Sequence, residues 1–321
     1  MSHFDLLEIR DPETRERECF EALREILTFA VDHAPALKEV FSEHEIASLH
    51  DRSALEALPV LRPDTCSLDG WATRQPYHMR HLFLAPDGRA TPAADGRDWW
   101  GLGRCLHAAG IGMGDVVLNA FSHHLVPDGM MFDTGIAAIS ATSIPAGPDH
   151  VPGLAEAAVT FGASAFVGAP HVLHAVLDHV AREGLSHAFA TAVTAGHPSD
   201  ELRDLCAAQG IALRRVYISR DVGLVAYETE AEDSMVVDEK IILEVVHPGT
   251  GDHVPEGTVG DVLVTNLNPD YPVLRLATGD QALILSGESP CGRTNLRISG
   301  PLASVQCETE AEAVAVLSAR R

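Results

Sequence analysis

Two adjacent histidines are followed at close range by an acid and a glycine, His123-His124-Leu125-Val126-Pro127-Asp128-Gly129. An imidazole in such a run could take a proton from an acceptor nucleophile or donate a hydrogen bond to a substrate carboxylate. It could equally be a satisfied histidine at a strand end. A second group, Tyr217-Ile218-Ser219-Arg220-Asp221, sets an aromatic ring, a hydroxyl, a cation and an acid side by side. Arg220 could donate directly to phosphate oxygens, or simply form a solvated charge pair. Thr278-Gly279-Asp280 adds a carboxylate that, when ionised, accepts two hydrogen bonds at once, although the same tripeptide also reads as a turn between strands. His171, His174 and His179 share one helical stretch, but without acids in register they read as a partly exposed face.

The net charge of −23, from 23 basic and 46 acidic residues, repels phosphate backbones and anionic lipid. Nucleic acid and membrane surfaces are therefore excluded as expected partners, and a nucleotide would need local arginine, helix N-termini or a bound cation. Lysine occurs only as Lys38 and Lys240. The cysteines, Cys19, Cys66, Cys105, Cys206, Cys291 and Cys307, are scattered and read as reduced thiols of a cytoplasmic protein. The amino terminus lacks a basic stretch followed by an apolar one, and no uncharged run approaches membrane-spanning length, so a protein that is not exported is expected.

The elements that must position these groups are legible from periodicity. Phe20, Leu23, Ile26, Leu27 and Ala30 recur at helical spacing within a stretch running from Pro12 to about Phe41. Gly114-Asp115 enters a buried strand at Val116-Val117-Leu118. Helices are expected at Met130 to Ser140, Gly153 to Gly162, His171 to Glu183 and Ser199 to Gln209. Strands alternate with them at Thr142 to Pro145, Ala165 to Gly168, Ala190 to Thr194 and Leu213 to Ile218. This alternation predicts an α/β fold with a mostly parallel, helix-covered sheet whose ligands sit at the strands' carboxyl ends. From Gly223 to Ile298 short β-rich runs, Ile241 to Val246, Val259 to Thr265 and Gln281 to Leu285, predict a small antiparallel β subdomain. The expected division is a body over 1–222, a β-rich subdomain over 223–300 and a tail over 301–321.

Several segments, by their order and spacing, resemble the phenylacetate-CoA ligase-like members of the adenylate-forming superfamily. They are Gly114-Asp115-Val116-Val117, Phe121-Ser122-His123-His124-Leu125, Ile144-Pro145-Ala146-Gly147, Leu224-Val225-Ala226-Tyr227-Glu228, Thr278-Gly279-Asp280 and Cys291-Gly292-Arg293-Thr294. Arg10 to Glu13 and Leu58-Pro59-Val60 extend the likeness toward the amino terminus. The resemblance implies the fold of the family's N-terminal domain and ATP-dependent activation of a carboxylic acid, such as an aryl acid, to an acyl adenylate and then a coenzyme A thioester. It implies that Thr278 and Asp280 bind the nucleotide, with Asp280 on the ribose hydroxyls. Tyr217 would stack on adenine, beside Ser219 and Arg220, and Asp221 would hold magnesium. Ala195-Gly196-His197-Pro198 matches a glycine turn near adenine and the acid pocket, so Gly196 and His197 are implied there, His197 also reading as a plain turn residue. His124 takes the position of the gate beside the substrate carboxylate. Relatives are often dimers.

The chain departs from the family's pattern in ways that imply reduced activity. The phosphate loop matches Leu84-Ala85-Pro86-Asp87-Gly88-Arg89, which has no hydroxyl, loses a donor at Pro86 and gains a repelling acid at Asp87. Ile218 and Asp221 stand where the family has glycine and glutamate. No lysine follows Ile298 to match that of the family's small carboxy-terminal domain, and a separate subunit could supply one. A zinc site found in some relatives is not expected, because Ser289-Pro290-Cys291 keeps one thiol and Thr229 and Val236 stand at the upstream positions. Two further readings remain: a non-catalytic nucleotide-, acid- or coenzyme A-binding protein or accessory subunit, and an acyltransferase of the condensation type, whose His-His-x-x-x-Asp-Gly signature His123 to Gly129 also fits.

Overall fold

The computed structural model describes residues 3–63, 68–85, 88–94, 96–232, 234–255 and 257–300. Pro86 and Asp87 of the expected phosphate loop, and the expected tail 301–321, lie outside the described residues.

Helix α1 (Pro12–Ala30) begins where the Thr14 amide donates to the Asp11 side chain and Pro12 fills the first turn. Its stripe of Phe20, Leu23, Leu27 and Ala30 is buried in a core shared with the β-rich half of the chain. The helical section expected from Pro12 to about Phe41 is built as two helices. Pro35 disfavours helical backbone at Ala34 (φ −116°, ψ 100°), so a second helix, α2 (Pro35–Val40), starts afresh. Short helices α3 (Glu43–Ser48), α4 (Arg52–Glu56) and α5 (Leu68–Trp71) follow, then an antiparallel pair β1 (His81–Leu84) and β2 (Ala90–Ala93), and α6 (Leu102–Ala108).

The alternating segment is then built as expected: β3 (Val116–Asn119), α7 (Asp128–Ala138), β4 (Thr142–Pro145), α8 (Val151–Phe161), β5 (Ala165–Gly168), α9 (Pro170–Arg182), β6 (Thr191–Ala195), α10 (Asp200–Ala208) and β7 (Ala212–Ser219). The strands lie in the order β4-β3-β5-β6-β7, all parallel. Successive strand residues point to opposite faces, so Val117, Val167 and Val193 join α6 and α7 in one core. Leu118, Phe166 and Ala192 join α8, α9 and α10 in the other.

Beyond β7 the pairing changes hand. Strands β8 (Gly223–Glu228), β9 (Met235–Val237), β10 (Ile241–Val246), β11 (Val259–Asn266), β12 (Leu276–Leu285) and β13 (Arg297–Ile298) are antiparallel to their neighbours. They extend the sheet to eleven strands in the order β10-β11-β12-β13-β9-β8-β7-β6-β5-β3-β4. The α/β class, with a helix-covered parallel sheet and an antiparallel β part, therefore holds. Among the described residues no helix is long and apolar enough to cross a membrane.

Candidate functional site

At the carboxyl end of β7 a cavity of about 300 Å³ opens between the β7–β8 hairpin, the start of α7 and the first half of β12. Arg89, Asp128, Ser219, Arg220, Asp221, Thr278 and Asp280 supply its polar lining, with Pro63, Ile218, Leu276 and Ala277 between them. A parallel strand ending against an antiparallel hairpin leaves such a crevice because its carboxyl-end loop has nothing stacked above it.

Two irregularities aim the side chains. The β7–β8 ladder slips by one residue between Tyr217 and Ile218, so the hairpin twists as it leaves the sheet. Gly223 closes the turn at φ +85°, where a Cβ would lie 2.6 Å from the Trp100 carbonyl oxygen. On β12 the register passes from Ala277↔Leu263 to Gln281↔Asp261, leaving Thr278, Gly279 and Asp280 opposite Val262 alone. The sequence reads Thr278 to Asp280 as a nucleotide-binding segment or a turn ahead of a strand at Gln281 to Leu285, whereas β12 begins at Leu276 and carries the three residues in a bulge. The bulge turns Asp280 toward the buried ring of Tyr217, whose hydroxyl donates to Asp280 Oδ2 at 2.8 Å. Burial raises the Asp280 carboxyl above the ordinary aspartate value, opposed by the Tyr217 hydrogen bond. Burial also raises the Tyr217 phenol, and the neighbouring Asp280 charge adds to it, so Tyr217 remains a donor.

The remaining charges pair off across the cavity. Arg89 Nη1 donates to both Asp221 oxygens at 2.9 and 3.0 Å. Arg220 donates to Asp128 Oδ2 from Nη2 at 3.1 Å, and its Nε lies 3.3 Å from both carboxylate oxygens. The acid that by resemblance would hold magnesium thus has a guanidinium across both oxygens. Among the described residues no group of three His, Cys, Asp or Glu side chains could hold a metal ion. Magnesium is commonly held by one or two carboxylates with phosphate oxygens and water, so an ion at Asp221 would have to displace Arg89 from at least one carboxylate oxygen.

No family model matches the chain. Over 209 residues it is 27% identical to a phenylacetate-coenzyme A ligase of Thermus thermophilus, a match covering 62% of this chain and 47% of that protein. The chain spans about half the length of that curated relative. A 2-hydroxyisobutyryl-CoA ligase, solved in an open conformation with 2-HIB-AMP and CoA, superposes with a TM-score of 0.83 at 22% identity. That superposition covers 91% of this chain and 70% of the other. The fold is that of the adenylate-forming ligases. A long-chain-fatty-acid-CoA ligase from Archaeoglobus fulgidus shares it more distantly, with a TM-score of 0.54 at 11% identity over 71% of this chain and 53% of that one. The likeness to phenylacetate-CoA ligase-like proteins read from the motifs therefore agrees with comparison of whole folds.

Within this adenylate-forming ligase fold, the cavity gathers Ser219, Arg220, Asp221, Thr278 and Asp280, with Tyr217 behind Asp280. His124, Gly196 and His197 do not line it. They follow β3 and β6 on the same carboxyl edge of the sheet, and all three are exposed. Gly196 has φ +109°, a backbone conformation that favours glycine, and a Cβ there would make only ordinary contact with Pro170 Cδ at 3.5 Å. In the two-histidine run, His123 packs on Gly129 and Asp128 serves Arg220, so the acid belongs to the cavity. Lys240 lines a separate cavity beside Trp99 and Trp100. The Cys291 thiol is buried with Ser289 Oγ at 3.0 Å, and the Ser289 and Arg293 hydrogen bonds outweigh burial to hold its pKa below the ordinary value. One thiol with a hydroxyl and a guanidinium does not fit a tetrahedral zinc site. A charge pair at Arg220 was among the expectations but its partner Asp128 was not named, and the pairing of Arg89 with Asp221 was missed. Only the charge of Arg89 and the place of Asp128 in the two-histidine run marked them.

Proposed function

We propose that the chain is the nucleotide- and acid-binding body of an acyl-CoA ligase of the adenylate-forming type, acting on an aryl or other small carboxylic acid with low turnover. The gathering of the Tyr217 to Asp221 hairpin and the Asp280 bulge around one cavity at the carboxyl end of β7 carries this reading. In it the ionised Asp280 carboxylate accepts from both ribose hydroxyls, Arg220 and Arg89 face the α-phosphate, and Tyr217, only 5% exposed, holds Asp280 from behind rather than offering its ring face to adenine. His124 and His197 meet the acid from the loops after β3 and β6. Coenzyme A enters afterwards to take the acyl group. The three parts, 1–222, 223–300 and 301–321, act as body, β-rich subdomain and tail. A homodimer, or a body completed by a separate carboxy-terminal subunit, belongs to the same reading. A cytoplasmic location agrees with the free, buried thiols of Cys19, Cys105, Cys206 and Cys291.

Low turnover is favoured by the phosphate-loop match at Leu84 to Arg89, which offers no hydroxyl and carries an acid at Asp87. A non-catalytic binding protein or accessory subunit is the second reading on the same observation. Calorimetry against ATP with magnesium, AMP, coenzyme A and phenylacetate, followed by a pyrophosphate-release assay on the same sample, separates them. Nucleotide binding with acid-dependent pyrophosphate release supports the ligase. Binding without release supports a binding protein, and no binding at all overturns the ligase and the binding protein and leaves the accessory subunit.

A further inference from the structure

Asp221 is 8% exposed and so has few solvent partners, yet it carries a charge that must be matched. The match is Arg89, which spans both carboxylate oxygens from one nitrogen while its side chain stays 24% exposed toward the cavity. A divalent cation bound at Asp221 would have to stand where that nitrogen now stands, and two cations do not share one carboxylate face at low cost. Arg220, also in the lining, lies along Asp128 with Nη2 at 3.1 Å and Nε at 3.3 Å. The cavity therefore presents two guanidiniums already held in place by acids. A guanidinium carries five donors in a fixed fork and can keep its carboxylate while turning another edge to a phosphate.

We infer that Arg89 replaces the divalent cation at this site, so that the cavity binds a nucleoside monophosphate or its mixed anhydride with a carboxylic acid without metal. This rests on the nucleotide reading above and narrows its ligand. The charge arithmetic favours a single phosphate. An acyl nucleotide brings one negative charge to two guanidiniums, whereas a triphosphate brings several into a cavity that already holds Asp128, Asp221 and Asp280, within a chain of net charge −23. Volume argues the same way, since about 300 Å³ is at the small end of ligand pockets.

The test is calorimetry of the full chain with AMP and with ATP, each in EDTA and each in excess magnesium. AMP is expected to bind with the same Kd in both buffers, and ATP to bind more weakly than AMP without gaining from magnesium. Arg89→Gln is expected to weaken AMP by about tenfold or more, the loss of a charge-assisted contact. In that variant, magnesium is expected to restore part of the affinity through the released Asp221. Tightening of either nucleotide by about tenfold on adding magnesium to the unaltered chain overturns the inference and leaves the nucleotide reading intact. Absence of nucleotide binding in every buffer overturns the nucleotide reading itself. If Arg89→Gln does not fold, the comparison of EDTA with magnesium on the unaltered chain decides alone.

Discussion

Glu8 and Asp221 are both acids facing arginine, but their surroundings differ. Glu8 is 0% exposed and meets Arg293 at 3.1 Å and Arg104 at 3.2 Å, while the Tyr227 hydroxyl and the Phe4 amide also donate to it. Arg104 in turn holds Asp5, with its two closest contacts at 2.8 and 3.1 Å. This network fastens the amino-terminal segment to α6, β8 and the turn before β13. At the cavity each acid meets its arginine at the tip of a hairpin or the first turn of a helix, and Arg220 is 42% exposed. Charges locked by several partners in a dry interior hold the fold, whereas pairs at a crevice can exchange one anion for another.

The largest expected effect breaks the buried side of this comparison. Glu8→Ala leaves two buried guanidiniums without their shared acid and should cost about 3–5 kcal/mol, measured by urea unfolding. Arg220→Ala at the crevice should cost less than about 1 kcal/mol. Equal losses would mean that the two sets of charges are not different in kind.

Proton linkage sharpens the contrast inside the buried network. Burial works to raise the Glu8 carboxyl, but Arg293, the Phe4 and Tyr227 hydrogen bonds and Arg104 together hold it below the ordinary glutamate value, so its contribution is present above the unfolded pKa and fades as pH falls through the folded one. Asp238 behaves oppositely, since burial pushes it up from 3.8 to about 6 against the pull of Arg104. Between those values the folded chain keeps a proton that the unfolded chain has released, and stability falls as pH rises through this window. Asp238→Asn should remove that fall, on the order of 1–3 kcal/mol, from the difference between the unfolding curves of variant and unaltered chain. A difference that does not change with pH would show that Asp238 is ionised throughout.

At the crevice the next test leaves the fold alone. Asp280→Asn keeps an acceptor for the Tyr217 hydroxyl but removes the charge that would hold a ribose. Nucleotide affinity should fall by about tenfold to thirtyfold while the urea midpoint hardly moves. In the unaltered chain affinity should decline as pH falls through the raised Asp280 pKa, and the asparagine variant should lack that decline. A midpoint that falls with the affinity would make Asp280 a structural residue like Glu8.

Much of the fold was legible because short β-branched or apolar runs between turn signals mark strands. Thr142–Pro145, Ala165–Gly168 and Ile241–Val246 are bounded as those runs predict, although only Ala165–Gly168 is a parallel strand buried throughout. The break before Pro35 was legible too, in the proline itself, but the apolar stripe hid it. The bulge at Thr278 to Asp280 was not, because register depends on a partner strand that the local sequence does not contain. Nor were the partners in the two cavity ion pairs, which stand 132 and 92 residues apart. The motif residues of the hairpin could be named from sequence, while what each one touches could not.

His124 provides the smallest expected effect and the finest cut between the two kinds of region. It is exposed in the loop between β3 and α7, and its amide donates to Ser122 Oγ at 3.2 Å, so the side chain contributes little to holding that loop. His124→Ala should therefore leave stability within about 0.5 kcal/mol. If the imidazole donates to the substrate carboxylate, the same change should raise the Kd for phenylacetate by about threefold to tenfold and leave that for AMP unchanged. Calorimetry with both ligands on one preparation reads the two together. Unchanged acid affinity would assign the acid to other groups on the carboxyl edge of the sheet, with His197 after β6 the next to test.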